Sequence, residues 1–467
     1  MSQARPLPDS RAPIWLPQLT ANGGPRFLQI ADALQAAIVA GSLAPGDRLP
    51  PQRQLAARLD IDLTTVTRAY DEARRRNLLE GRGAHGTYVA APKVGLSPVI
   101  DLSMNTPPPP AGVDVDDMLK QGLSQVLLSA DSQLLMTYHL GGGSDADRQA
   151  GATWLEPVCG RLDPAHIVVC PGAQAAIAAA ILAMTAPGDT ILVEPMSYPG
   201  LRDAATHLGR RLVTVEADEH GMVPERLEQA CRRDKPGLIY LNPTLQNPTA
   251  VTMPGSRRRA LAGIAQRYDV RILEDDPYWL LADAPPPPIV TLAPNHVLYV
   301  STLSKCLAPG LRVAFVVLPD ADQRARFLAA LRSLALMATP LSVALATQWI
   351  VDGSAARLMQ GIRDEARLRQ QMARSALAGQ YSGPGDGLHG WLTLPACWNA
   401  AQLAAAAATE GIVVTPADAF AAGSESVNAI RLSLGNIKDR QQLQAGLQRL
   451  SDLIARRPAS FSAGLTR

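Results

Sequence analysis

Residues 297–318 read VLYVSTLSKCLAPGLRVAFVVL, two apolar runs parted by a polar turn that holds Lys305 and Arg312. Val297 to Val300 and Val313 to Leu318 have the pattern of strands buried on both faces, bounded by a Pro-Gly turn. The same pattern recurs upstream at Ile167–Val169, Ile191–Val193, Leu238–Leu241 and Ile272-Leu273, with helix-like stretches such as Arg257–Arg267 between several of them. Such alternation predicts an α/β domain with a large, mostly parallel sheet covered on both faces. Residues 345–455 mix Ala-rich helices with short strands and are expected to form a smaller α+β lobe.

Parallel sheets gather functional groups at the carboxyl ends of their strands, and here those ends are chemically specific. The 167–169 run opens into Pro171-Gly172-Ala173-Gln174, a small-residue turn before an Ala-rich helix, where free backbone amides make a phosphate seat. Ile272-Leu273 runs into Glu274-Asp275-Asp276-Pro277-Tyr278, and Tyr240-Leu241-Asn242-Pro243 precedes Asn247-Pro248-Thr249. A lysine beside a sheet edge is normally kept out of the interior unless it has a task. The acid, the amide and the arginine, in that company, give Lys305 one.

Composition narrows the classes. Hydrophobic residues at 47% and charged residues at 18% describe a folded chain, and 467 residues suggest two or three domains. A formal net charge of +2 makes any nucleic-acid contact local rather than a property of the whole surface. Five scattered cysteines without a CxxC pair argue against a disulfide framework or a metal site, and fit a reducing compartment. Cys306, next to Lys305, reads as a small packed residue rather than a redox group. Residues 1–25 are rich in Pro and Arg and lack a signal-peptide apolar stretch, and no apolar run is long enough to span a bilayer. A cytoplasmic location is expected.

Residues 26–90 form a separate unit ahead of a short linker, 91–99. Phe27, Ile30, Leu34 and Ile38 line one face of a first helix; a second follows Pro50-Pro51 to about Leu59. A third starts at Asp62, a suitable N-cap, and runs to about Arg76. Leu78–Glu80 and Thr87–Val89 read as strands around a Gly-rich tip. Three helices and a hairpin outline a winged helix-turn-helix. Val66, Ala69, Tyr70 and Ala73 fall on one face of the third helix, and Thr64, Thr67 and Arg68, with Thr65 beside them, on the face a recognition helix presents to the major groove. Arg48 and Arg53 stand where phosphate contacts are expected, and Arg82, Gly83, His85 and Gly86 form a wing tip.

Residues 100–467 resemble fold-type I, aspartate-aminotransferase-like enzymes that use pyridoxal 5′-phosphate. The resemblance implies that Lys305 holds the cofactor aldehyde as a Schiff base and that Asp275 pairs with the pyridine nitrogen. It implies that Asn247 and Tyr278 bond the ring 3-hydroxyl and that Tyr198 stacks on the ring. Gly172, Ala173, Gln174, Thr302, Ser304 and Arg312 would hold the phosphate, and Tyr138 would reach the phosphate of a neighbouring subunit. Arg431, in Ile430-Arg431-Leu432-Ser433, matches the arginine that takes a substrate carboxylate. Two departures stand out: Ala250 replaces a usual turn glycine, and Tyr138–Gly143 differs from the commoner motif although Gly143 and Arg148 keep their places.

Residues 26–90 resemble the reader of GntR-type bacterial regulators, through Gly46–Pro51, Arg53–Ala56, Thr64–Tyr70 and Gly86–Val89. The two together are similar to the MocR-type regulators. That resemblance implies a homodimer that binds an operator in double-stranded DNA and responds to an amino compound or to pyridoxal phosphate, with an active aminotransferase as the alternative.

Overall fold

The computed structural model describes residues 15–20, 24–44, 46–76, 78–81, 86–90, 99–377, 379–424 and 427–456, and the chain divides after Pro98 into two compact units. In the first, α1 (Arg26–Val39), α2 (Gln52–Leu59) and α3 (Leu63–Arg75) precede an antiparallel pair, β1 (Leu79–Gly81) and β2 (Thr87–Val89). Asp62 starts α3 by accepting the Thr64 N–H at 2.7 Å, one of the amides a helix start leaves bare. Val66, Ala69, Tyr70 and Ala73, at three- and four-residue steps, are all buried in one core with Ile30, Leu34 and Leu55. The Tyr70 hydroxyl donates to the Pro50 carbonyl at 2.8 Å and so pins the turn ahead of α2. Backbone bonds from Val89 to Asp47 and from Leu49 to Thr87 zip that turn onto the hairpin. This is a winged helix-turn-helix. Its first strand begins at Leu79, one residue later than the sequence pattern suggests.

The second unit opens with β3 (Ile100–Asp101) and then builds a seven-stranded sheet. Its strands are β4 (Ile167–Cys170), β5 (Thr190–Val193), β6 (Arg211–Thr214), β7 (Leu238–Leu241), β8 (Arg271–Asp275), β9 (Val297–Thr302) and β10 (Ala314–Val317), in the spatial order β4-β10-β9-β8-β7-β5-β6. All pairings are parallel except those of β10, which runs against both β9 and β4. The reversal follows from the link: β9 reaches β10 through two single helical turns, Leu303–Cys306 and Pro309–Leu311, not through a full crossover helix. Five of the seven strands are buried along their whole length, as their unbroken apolar runs require. β6 was not among the expected strands. It lies at the sheet edge with Arg211 exposed, so its sequence carries only a partial apolar signal.

A smaller sheet holds β11 (Tyr381–Ser382), β12 (His389–Thr393), β14 (Thr415–Pro416) and β15 (Ala429–Ser433), while β13 (Ile412–Val413) pairs in parallel with β3. Ile100 and Leu102 pack in this lobe's core with Leu392, Leu432 and Leu447. The start of the second unit therefore belongs to the small lobe. Leu345, Ala346 and Trp349, inside the span expected for that lobe, pack instead with the large-lobe core. The second unit includes Val99, which the sequence reading placed in the linker.

Candidate cofactor cleft and DNA-reading face

Along β8 successive side chains point to opposite faces, and this sorts three consecutive acids. Glu274 turns away from the cleft and accepts the N–H groups of Ile289 and Val290 at 2.8 Å each. Asp276 takes the Trp279 N–H at 3.1 Å, near the fully buried Arg258. Burial pushes Glu274 up to about 8 and Asp276 to about 7. Asp275 alone faces the cleft. The Tyr240 hydroxyl donates to its Oδ2 at 2.7 Å, whereas its buried Oδ1 has no partner. Burial raises Asp275 to about 6, against the pull of Tyr240 and Lys305.

A cleft of about 140 Å³ opens at the carboxyl ends of the central strands, lined by Ala173, Gln174, Tyr198, Asn242, Asn247, Asp275, Pro277, Tyr278, Thr302, Ser304, Lys305 and Arg312. Lys305 lies in the single helical turn, Leu303–Cys306, that directly follows β9, and its Nζ donates to the Asn105 carbonyl at 2.5 Å. Burial lowers the lysine from 10.5 to about 8, helped by Arg431 and Arg312 and opposed by Asp275. Neutral amine is thereby available near physiological pH, as a nucleophile requires.

One end of the cleft suits an anion. Ala173 and Gln174 form the first turn of α4 (Ala173–Met184), whose N-terminus carries partial positive charge. Arg312, at φ +51°, lies against Gly172 so closely that a Cβ there would meet its Nη2 at 2.6 Å. Glycine is required at 172 by its own φ of +87°, and an added Cβ would push the tip of Arg312 aside. Thr302 caps the turn holding Lys305 by accepting the Ser304 N–H at 3.2 Å.

Behind Asn247, which lines the cleft, lies a buried cation. Arg431, 7% exposed, lies 4.7 Å over the Phe420 ring and donates to Asn247 Oδ1 at 2.8 Å and to the Ser103 carbonyl. Its Nε, also buried, has no partner. Asn105, Asn242, Tyr240 and His389 were not among the expected site residues. Asn242 donates to the Asp275 carbonyl at 2.6 Å, and Asn105 donates to the Tyr278 hydroxyl at 2.9 Å. Tyr240 and Asn242 stood in a quoted motif and carried a signal; Asn105 and His389 had none.

Tyr138 is 71% exposed and lies outside its own chain's cleft, beside exposed Leu134 and Met136. Arg148, which keeps its motif place, donates to the Gly143 carbonyl at 2.6 Å. Ala250 adopts φ +60°, so the turn that replaces a glycine does hold its alanine in left-handed backbone.

In the first unit, Thr64 and Arg68 are exposed on α3, and Arg48 and Arg53 are exposed nearby. The Arg68 guanidinium sits 4.3 Å over the Phe27 ring. Thr65 and Thr67 are half-buried, and the Thr67 hydroxyl bridges to Gln52 Oε1 at 2.9 Å, tying α3 to α2. Gly86, at φ +111°, lies against the Arg48 guanidinium. The wing-tip residues Arg82, Gly83 and His85 lie outside the described residues.

Comparison with known proteins matches residues 97–450 to "Aminotransferase class I and II" and residues 27–89 to "Bacterial regulatory proteins, gntR family". The HTH-type transcriptional regulator YdeF of Bacillus subtilis is 30% identical over 94% of this chain and 96% of its own. The chain belongs to the MocR-type GntR regulators. It is a transcriptional regulator with a GntR helix-turn-helix and a fold-type I aminotransferase domain. The vitamin B6 salvage pathway transcriptional repressor PtsJ of Salmonella typhimurium is 29% identical over 88% of this chain and 95% of its own. Among solved structures, the α-aminoadipate aminotransferase LysN of Thermus thermophilus, complexed with N-(5′-phosphopyridoxyl)-L-leucine, superposes with a TM-score of 0.70 at 26% identity, covering 77% of this chain and 92% of its own. No helix among the described residues is long and apolar enough to cross a membrane.

Proposed function

We propose that this regulator binds pyridoxal 5′-phosphate in the cleft and senses an amino compound, or the cofactor itself, through Schiff-base chemistry at Lys305, so controlling metabolic genes from an operator in double-stranded DNA. One observation carries the reading: Asp275 leaves a buried, unpartnered carboxylate oxygen facing a cleft that has a lysine of lowered pKa and an anion cradle. A protonated pyridine nitrogen satisfies that oxygen, and a phosphate satisfies the cradle. The group therefore fits the residues present.

Bound there, pyridoxal phosphate supplies an aldehyde that links reversibly to amines and a ring that withdraws electrons. The chain's own residues do the rest. Gly172, Ala173, Gln174, Thr302, Ser304 and Arg312 hold the phosphate, Tyr198 covers the ring, and Asn247 and Tyr278 face its 3-oxygen. Lys305 would contribute its amine to the aldehyde, have it freed when an incoming amine takes its place, and give it again when that amine leaves. Arg431 receives a carboxylate on the effector, and where that carboxylate takes the Nη2 hydrogen bond the Ser103 carbonyl yields its place. An effector shifts the protein only if it binds one state better than another, and displacement of the segment around Ser103 is such a difference. Residues 26–90 read DNA, with Thr64, Thr65 and Arg68 toward bases and Arg48, Arg53 and the wing residues, Gly86 among them, toward the backbone. Thr67 contributes to helix packing as much as to reading. The exposed Tyr138, Leu134 and Met136 face a second copy in a homodimer acting in the cytoplasm.

A second reading, an active aminotransferase with an accessory N-terminal domain, is favoured by the presence of Lys305, Asp275 and Arg431 around one cleft. Titration of purified protein with pyridoxal phosphate and amino compounds, with absorbance and DNA binding measured in parallel, decides between them. Lys305→Ala is expected to lose the imine absorbance and the effector response while basal DNA affinity persists. Multiple turnover of an amino donor and a keto acid, with no change in DNA binding, would establish the enzyme instead.

A further inference from the structure

Behind Tyr278 lies a buried hydrogen-bond chain whose direction is set at one end. His389 Nε2 is 3.0 Å from the Gln246 carbonyl, which can only accept, so Nε2 carries the proton. Burial, with Arg431 and Lys305 nearby, holds His389 at about 3, so the ring is neutral and Nδ1 is an acceptor. Asn105 Nδ2 lies 3.2 Å from that Nδ1 and 2.9 Å from the Tyr278 hydroxyl. An amide oxygen there would face the Nδ1 lone pair, so the NH₂ group must point this way and donate to both. The Tyr278 oxygen then accepts, and its own proton has to point elsewhere. Tyr278 is buried and lines the cleft, so the direction left is into the cleft.

We propose that Asn105 and His389 are positioning residues that fix the Tyr278 hydroxyl as a donor into the cleft, toward the 3-oxygen of the bound cofactor. This rests on the cofactor reading given above. The opposite arrangement completes the contacts around Asn105 but not those of His389: with the proton on His389 Nδ1, the Asn105 amide would flip, Tyr278 would donate backwards, the cleft would lose a donor, and the Nε2 lone pair would face the Gln246 carbonyl. The Gln246 carbonyl selects between the two. When the imine to Lys305 is unprotonated, the ring oxygen is an anion without an internal partner, so a forward-pointing Tyr278 lowers the imine pKa. The charged and titratable groups around that position are Asp275, Arg431, Arg312, Tyr198 and Tyr240, and none of them is altered by the relay.

Two measurements test it. In wild-type protein without cofactor, ¹⁵N NMR of His389 should show the neutral Nε2–H tautomer from pH 5 to 8; an Nδ1–H tautomer or a charged ring overturns the proposal without any variant having to fold. With pyridoxal phosphate added, the spectral pKa of the imine is compared in wild type, Asn105→Asp, Tyr278→Phe and the double variant. Asn105→Asp offers an acceptor to the Tyr278 proton and adds a charge, so it should raise the pKa by about one unit. In the Tyr278→Phe background only the charge remains, and the rise should be smaller by about half a unit or more. Equal rises in both backgrounds overturn the relay. A wild-type protein that shows no imine band refutes the cofactor reading instead, and the NMR result still decides the direction of the chain.

Discussion

Replacing Asp275 with asparagine isolates what its unpartnered oxygen contributes. In the free protein burial holds this carboxyl at about 6, and its folded value lies above the ordinary 3.8. The folded state therefore binds the extra proton, and the group's penalty on stability grows as pH rises from about 4 through about 6. A pyridinium N–H on Oδ1 offsets that penalty, and a charge-assisted bond of this kind contributes about 1.5–3 kcal/mol. Asp275→Asn should accordingly fold at least as well near neutral pH, yet bind pyridoxal phosphate about 10- to 150-fold more weakly. The advantage of wild type should also depend on pH. At pH 7.4 the carboxyl is almost wholly ionised, whereas at pH 5 deprotonating it costs about a tenfold loss in affinity. The ratio of the two dissociation constants, read by absorbance titration from pH 5 to 8, cancels the cofactor's own titrations. A ratio near one, or one that does not fall below pH 6, would refute the role of Asp275.

Three further outcomes follow from single contacts. Gly172→Ala forces a Cβ against Arg312 and should weaken pyridoxal phosphate by about 1.5–3 kcal/mol while sparing pyridoxal, which lacks the phosphate; equal losses for both would contradict the cradle. Arg68→Ala should reduce sequence-selective DNA binding by about 1–3 kcal/mol if its guanidinium leaves Phe27 for a base, measured against a scrambled duplex. Ala250→Gly relieves left-handed backbone that costs about 1–2 kcal/mol, less about 0.4–1 kcal/mol for glycine's freedom when unfolded, so a gain of about 0.5–1 kcal/mol is expected in denaturant unfolding of the second unit.

Much of the fold was legible because its strands are buried on both faces. β4, β5, β7, β8, β9 and β10 each leave an apolar run, and the turn after β9 leaves Lys305 and Arg312 at a readable spacing. The winged helix-turn-helix was legible from local rules: Asp62 as a cap, and Val66, Ala69, Tyr70 and Ala73 on one face. What escaped was set by edges and by distance. β6 carries a weakened pattern because solvent covers part of it. β3 is two residues long, and its place in the small lobe depends on pairing with Ile412 and Val413 across more than three hundred residues.

The cleft divides along the same line. Residues whose side chains serve it directly lie in motifs, because a given chemistry demands a residue type at a strand end. Those that act through backbone atoms leave no such trace, since any residue has a carbonyl. Ser103 and Asn105 offer carbonyls to Arg431 and Lys305 across sequence separations of 328 and 200 residues. No spacing rule joins them. Yet these carbonyls each engage a basic group of the site, Arg431 and Lys305. The sequence marks Arg431 as a candidate carboxylate receptor, and does not tell that its Nη1 and Nη2 each already donate a hydrogen bond. That difference has a physical consequence: an arginine open to solvent binds an anion with little rearrangement, whereas an anion that reaches this buried one meets the segment that begins the second unit.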